Sequence, residues 1–287
     1  MATRTAAVET EEFDYLTHGG RALKMHLYRP AGTGPFPVIL DIHGGAWCTG
    51  DLTGCHDRDM QLAEAGFAAA AIDFRQAADR YPSSLADINY AVRFLKARAG
   101  DLGLDAARVA SCGQSSGGHL ALLAAMRPAD PRYAAIPLEG GPGDGKGIDA
   151  TVKCVGMLWP VINPLSRYRH ALKARASANP PGWVGDLPER HDTYWVDEAA
   201  MAEGNPVTIL EAGEKVKLPP AVWVQGRPDP VHDYRDPDYD GDLNEPERLA
   251  ALYRKAGGDC NVVYIPYEGR NGSPSVDPLI PFFRKHL

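Results

Sequence analysis

The chain has 287 residues, 44% hydrophobic and 23% charged, and its 30 Lys and Arg against 37 Asp and Glu give a formal net charge of −7. That length suits one large α/β domain that buries most of its unfolded surface without disulfides or metal, and the acidity excludes nucleic acid or an anionic membrane as partner, since both demand a basic face. No apolar run is long enough to span a membrane, the opening residues lack the apolar core of a secretory signal, and the five cysteines (Cys48, Cys55, Cys112, Cys154 and Cys260) contain no C-x-x-C pair, so the expectation is a reduced, cytoplasmic protein.

In chain order, Ala22–Tyr28 reads as an early strand halted by Pro30, and Pro37–Ile42 as a short buried strand running into His43-Gly44-Gly45-Ala46-Trp47. Phe67–Phe74 is a further strand; its alanines blur the periodicity, but Gly66 bounds it and it is short for a helix. Leu85, Ile88, Val92 and Leu95 recur at helical spacing up to Gly100. Arg108–Cys112 is a strand, followed by Gly113-Gln114-Ser115-Ser116-Gly117 and a helix through Leu120 and Leu123. After a strand around Val152–Leu158, residues 160–218 are rich in Pro, Ala and aromatics, too long for a plain loop, and read as a helical cap insertion. The sheet resumes at Ala221–Gln225, closing on Gly226-Arg227-Pro228-Asp229; a helix with Leu249, Leu252 and Tyr253, a last strand Asn261–Ile265 and a helix around Leu279–Phe283 complete the chain. Strands alternating with helices predict a mostly parallel sheet with helices on both faces, in a single domain over residues 1–287.

Two segments carry chemistry. Gly113–Gly117 fits G-x-S-x-G at a strand-to-helix turn, whose tightness requires small neighbours and exposes the Ser115 hydroxyl above the sheet. The Ser116 amide, at the start of the following helix, faces any oxyanion that develops there. Independently, the His43–Trp47 turn has glycines whose amides can approach a substrate carbonyl, so Gly44, Gly45 or Ala46 would complete an oxyanion hole with Ser116. His43 itself reads as a buried organiser of that loop. Asp229 lies just beyond a strand, at the carboxyl edge where open α/β sheets place their ligands.

HGGAW, the elbow GQSSGGHL and GRPD at the end of a late strand resemble the α/β-hydrolase superfamily, nearest its acetyl-esterase, hormone-sensitive-lipase and kynurenine-formamidase-like branch. The resemblance runs from about Tyr28 to the C-terminus and is weakest in residues 160–218. It implies that Ser115 is a nucleophile, that Asp229 is the acid orienting a histidine, and that Gly44, Gly45 and Ser116 bind the oxyanion, with a small-molecule ester as substrate and no cofactor or metal.

One departure stands out. Relatives place a His after the last strand in a turn reading aromatic-Glu-Gly-x-x-His, whereas this chain has Tyr267-Glu268-Gly269-Arg270-Asn271-Gly272. A serine hydroxyl needs a base to be a competent nucleophile. Either a histidine elsewhere substitutes (His232 or His191), or the chain is an altered form of a parent with His in this turn, or the chemistry bypasses the relay, or catalysis has been lost. His232 is expected to lie too close to Asp229 to contact both it and Ser115. His119 reads as a packed or surface residue.

Asp236-Pro237-Asp238-Tyr239-Asp240-Gly241-Asp242, with Glu247 at the twelfth position, has the spacing of a calcium loop; the alternative is a solvated acidic loop before a helix. In the cap, Trp159, Trp183, Trp195, Tyr168 and Tyr194 either line an acyl pocket or form a core of the cap's own. Arg167, Arg169, His170 and Lys173 either receive a substrate carboxylate or lie on a solvated helix face. The leading expectation is hydrolysis of a carboxylic ester through a Ser115 acyl-enzyme. Its rivals are a lyase, cyclase or acyltransferase on the same scaffold and a catalytically silent receptor. An exposed edge strand leaves a homodimer open.

Overall fold

The computed structural model describes residues 7–138 and 147–287; the first six residues, which enter the reading of the N-terminus, lie outside them. Eight strands form one sheet: β1 (Val8–His18), β2 (Arg21–Pro30), β3 (Phe36–Ile42), β4 (Ala68–Ile72), β5 (Leu104–Gln114), β6 (Val155–Leu158), β7 (Ala221–Arg227) and β8 (Cys260–Pro266). Their spatial order is β1-β2-β4-β3-β5-β6-β7-β8. The pairs β1/β2 and β2/β4 are antiparallel and the rest are parallel. Between the strands run α1 (His56–Glu64), α2 (Ser83–Ala97), α3 (Ala99–Leu102), α4 (Ser116–Met126), α5 (Pro164–Arg175), α6 (Leu187–Trp195), α7 (Glu198–Glu203), α8 (Pro206–Glu211) and α9 (Glu245–Lys255), and α10 (Ser273–Val276) and α11 (Leu279–His286) follow the last strand.

The period of two along each strand sorts side chains to opposite faces. Val38, Leu40 and Ile42 join Ala68, Ala70 and Ile72 in one core, with Leu85, Ile88 and Leu120 from α2 and α4. Ile39, Ala69, Ala71, Ala110 and Cys112 face the other way, onto Leu62 of α1 and Leu279 and Phe283 of α11. The alanines that blur the periodicity of β4 are all fully buried. They serve a central strand covered on both faces, where the alternation of a half-exposed strand is absent.

Two sequence expectations are corrected here. β1 was not expected, because Val8–His18 is acidic and mostly exposed, with only Tyr15 and Leu16 buried. The signal for it lies in Gly19-Gly20, both at positive φ (57° and 79°), which turn β1 into β2 as a hairpin. The aromatics of residues 160–218 do not form a core of their own either. Tyr194 and Trp195 belong to the main core, stacking on Trp47 at 5.8 Å and meeting it edge-on at 5.3 Å.

Helices α5, α7 and α8 of this segment start on Asx caps: Asn163 accepts from the Ser166 amide, Asp197 from that of Ala200, and Asn205 from those of Val207 and Thr208. Pro164 and Pro206 occupy the first turns of α5 and α8, where a missing N–H costs nothing.

The tightest crossing in the fold is at the β5–α4 junction. A Cβ on Gly117 would lie 2.1 Å from the Ile42 carbonyl oxygen and 2.4 Å from that of His43, and one on Gly113 would lie 2.5 Å from the Gly117 carbonyl. These obstructions are backbone, which cannot rotate away. Gly117→Ala is therefore expected to cost about 3 kcal/mol or more, at or above the upper end of ordinary overpacking; urea unfolding of the variant beside the parent measures it.

Candidate active site

Ser115 sits between β5 and α4 with φ 51° and ψ −121°, a strained conformation for a residue bearing a side chain. Backbone hydrogen bonds hold it there: its amide donates to Leu158 O at 2.9 Å, and its carbonyl accepts from Val161 N and His119 N at 3.0 and 3.2 Å. Beneath the turn, Arg58 of α1 grips Asp41 of β3 through two bonds (Nε to Oδ2, 2.5 Å; Nη2 to Oδ1, 2.8 Å) and donates to Gln114 Oε1 at 2.8 Å. This buried fork ties Gln114, the residue before Ser115, to the neighbouring strand.

A histidine that reaches both Ser115 and Asp229 is present, and it is His232. His232 Nε2 is 3.0 Å from Ser115 Oγ, and His232 Nδ1 is 2.8 Å from Asp229 Oδ2. The expectation that a histidine three residues from Asp229 could not contact both groups is overturned. Asp229 opens a helical turn in which its carbonyl accepts from Asp233 N at 2.8 Å and its Oδ1 from Val231 N at 3.0 Å. In such a turn residues three apart lie on the same face. The imidazole's two nitrogens then point opposite ways, one to the acid and one to the serine. His191 is elsewhere: it is fully buried, with Nδ1 2.7 Å from Leu187 O. His119 is packed as well, with Nε2 2.7 Å from Gly204 O and Nδ1 accepting from Trp47 Nε1 at 3.3 Å; burial pushes its pKa down to about 4.

Gly272, at the position of the missing histidine, opens α10. The residue that this turn brings to the site is Arg270, whose Nη1 donates to Asp229 Oδ2 at 2.9 Å. Gln225 Nε2 reaches the same oxygen at 3.3 Å. Burial raises the Asp229 pKa, but the His232 hydrogen bond and the charges of His232 and Arg270 outweigh it and hold the acid below its ordinary 3.8. For His232 burial is the largest influence and lowers its pKa; the bond to Asp229 opposes this, while Arg167 and Arg270 add to the depression below 6.5. The imidazole is thus neutral at neutral pH and able to accept a proton.

Across the cleft, a Cβ on Gly44 would lie 3.3 Å from Ser115 Cβ, so this glycine lets the loop close on the serine. Gly45 has φ 123°, and a Cβ there would fall 1.8 Å from the Thr49 carbonyl oxygen; the amides of Cys48 and Thr49 donate to Gly45 O and close the turn. His43 stacks on Phe74 at 4.3 Å, with Nδ1 2.7 Å from Gly44 O, and so organises this loop. Ser116 stands at the first turn of α4.

The residues with calcium-loop spacing are scattered among separate partners. Asp236 pairs with Arg248, Asp238 with Arg169, and Asp242 with Arg235. Among the described residues, the group of His, Cys, Asp or Glu that converges closely enough for a metal is instead Asp41, Cys55 and Asp59. Its cation is already Arg58, and burial together with Asp41 pushes the Asp59 pKa well up, so this group reads as ion-paired core.

The BD-FAE family model matches residues 25–235, a span holding Gly44, Ser115, Asp229 and His232. Relatives include a probable carboxylic ester hydrolase, LipM, of Mycobacterium tuberculosis, 38% identical over 60% of this chain and 42% of that protein. An ethyl acetate hydrolase of Pseudomonas putida is 36% identical over 42% of this chain and 40% of its own. The alignments thus span less than half of either relative. Among solved structures, the esterase LipW of Mycobacterium marinum superposes with a TM-score of 0.67 at 22% identity, covering 96% of this chain and 80% of that one. A bacterial heroin esterase gives 0.69 at 20%, covering 99% and 85%. The fold is that of the α/β-hydrolases.

Arg270 depresses the basicity of His232 through its charge, so its removal has a defined sign. Imidazole titration of His232 by NMR is expected to give a midpoint below 6.5, and Arg270→Gln to move that midpoint upward; an unchanged or lower midpoint contradicts the assignment.

Proposed function

The chain belongs to the BD-FAE family, and from that premise we propose that it is a serine hydrolase of carboxylic esters. The observation that carries the reading is the continuous relay from Ser115 Oγ to His232 Nε2 at 3.0 Å and from His232 Nδ1 to Asp229 Oδ2 at 2.8 Å. The relatives named as ester hydrolases support it.

In this reading Ser115 Oγ attacks the acyl carbon as its proton passes to His232 Nε2, and the carbonyl π pair moves onto oxygen. The amides of Gly44, Gly45 and Ser116 stabilise that oxyanion at the moment charge develops. Asp229 holds the imidazole in the tautomer with Nδ1–H and stabilises the imidazolium, remaining ionised throughout. Collapse of the tetrahedral adduct expels the alkoxide, which takes the proton from His232 and leaves an acyl-serine. A water then repeats the sequence, giving its proton to His232, and the free acid and Ser115 are restored. No cofactor enters.

Residues 160–218 serve as a cap, with α5–α8 between β6 and β7 and their aromatics fastened to Trp47 beside the oxyanion loop. A reducing, cytoplasmic setting agrees with five free cysteines, four of them buried. Among the described residues no helix is long and apolar enough to cross a membrane.

Hydrolysis of p-nitrophenyl acetate is expected to fall by about 10³-fold or more in both Ser115→Ala and His232→Ala, since residues of one relay fail together. A fluorophosphonate probe should label Ser115 rapidly in the parent and not in His232→Ala. Full turnover in either variant would remove the acyl-enzyme reading.

A further inference from the structure

Arg167, on α5, is a buried cation that makes no ion pair among the described residues; the carboxylate that acts on it, Asp229, does so through space. It is 1% exposed, and its Nη2 has no hydrogen-bond partner among the described residues. Its Nε lies 3.4 Å from His191 Nε2, long for a hydrogen bond, and its guanidinium carbon lies 5.1 Å from the centre of the Trp47 ring. The arginines around it are all matched: Arg169 by Glu198 and Asp238, Arg175 by Glu189, Arg190 by Asp186, and Arg248 by Asp236 and Glu211. Arg169, the neighbouring candidate for substrate recognition, is thereby occupied, and His170 is sandwiched between Trp183 and Tyr234 at 5.0 and 4.1 Å.

Burial lowers the Arg167 pKa to about 10, which still leaves the group charged at neutral pH. His191 does not compensate it, since burial and Arg167 itself hold that imidazole neutral. Arg190 adds positive charge nearby. An apolar side chain of the same reach would pack against Trp47 without the desolvation cost of a charge. An unmatched guanidinium is therefore costly to keep here unless an anion arrives to meet it.

The position is close to the chemistry. Trp47 belongs to the turn that carries Gly44 and Gly45, and the charge of Arg167 acts on both Asp229 and His232. Ser115, Gly44 and Gly45 are only half-buried, so a ligand reaches them from solvent.

We propose that the substrate carries a carboxylate as well as the scissile ester, and that Arg167 receives it; this rests on the ester-hydrolase reading above and names the substrate class within it. A monoester of a dicarboxylic acid has this chemistry. The planar guanidinium suits a carboxylate, which accepts two N–H bonds at once.

The test compares kcat/KM for mono-p-nitrophenyl glutarate with that for p-nitrophenyl valerate, a near-isosteric neutral ester, in the parent, Arg167→Lys and Arg167→Met. The parent is expected to favour the glutarate ester by about 10-fold or more, the scale of a charge-assisted hydrogen bond. The ratio should fall towards unity in Arg167→Met and recover in part in Arg167→Lys. No carboxylate preference in the parent, or the same preference in Arg167→Met, overturns the proposal while leaving the hydrolase reading intact. If the parent turns over neither ester, the hydrolase reading fails, and calorimetry decides the carboxylate site alone. Glutarate binding to the parent where glutaramide does not bind supports the site; equal binding, or none, rejects it. The calorimetric arm also serves if Arg167→Met does not fold.

Discussion

The site depends on a backbone crossing. α4 leaves the sheet so close to the end of β3 that its second residue, Gly117, has no room for a Cβ beside the Ile42 and His43 carbonyls. That closeness forces Ser115 into its strained conformation and brings the Gly44 loop to the serine side chain. Strain of this kind persists only where the surroundings over-determine it. Here they do so twice, through hydrogen bonds to Leu158, Val161 and His119 above and through the Arg58–Asp41–Gln114 fork below. The sheet's buried central strands supply the rigid frame, and Ser115, Asp229 and His232 lie at its carboxyl edge.

At that edge one carboxylate oxygen, Asp229 Oδ2, gathers His232, Arg270 and Gln225. Asp229 accepts from His232, Arg270, Gln225 and the Val231 amide, which satisfies the carboxylate's lone pairs and fixes its orientation. Arg270 shares the load of neutralising it, which leaves His232 less basic than a lone Asp–His pair would make it. The turn after β8 has thus kept a part in the site while supplying a different residue from the one its sequence context suggests.

Much of this was legible in the sequence, for identifiable reasons. The elbow and the His43–Trp47 turn are visible because tight backbone approach admits glycine alone at several positions, and glycine is easily seen. Asp229 is visible because it follows directly on a buried strand. His232 is one of two candidate substitutes in the sequence, and its linear closeness to Asp229 reads there as an obstacle; in a helical turn it is what aligns the two side chains. β1 was hidden because its residues are mostly solvent-facing and carry no alternation. Arg167 is in view only as one of four basic residues, with Arg169, His170 and Lys173, that either receive a carboxylate or lie on a solvated helix face; the packing of Trp47, His191 and Trp195 reveals which of them is enclosed. The acidic loop shows the converse, a spacing that local chemistry permits but that tertiary pairing with arginines disperses.

Asp229 and His232 ride on a single four-residue span whose Val231 and His232 amides both bond back to Asp229. Where such partners come from distant loops, each can drift independently and leave a half-assembled relay. Here any dislocation of the span carries both away from Ser115 in one motion, so in the proposed mechanism competence is gained or lost as a unit. In that mechanism the turn between β8 and α10 has no proton acceptor to supply, and what it contributes instead is the Arg270 guanidinium on the Asp229 carboxylate.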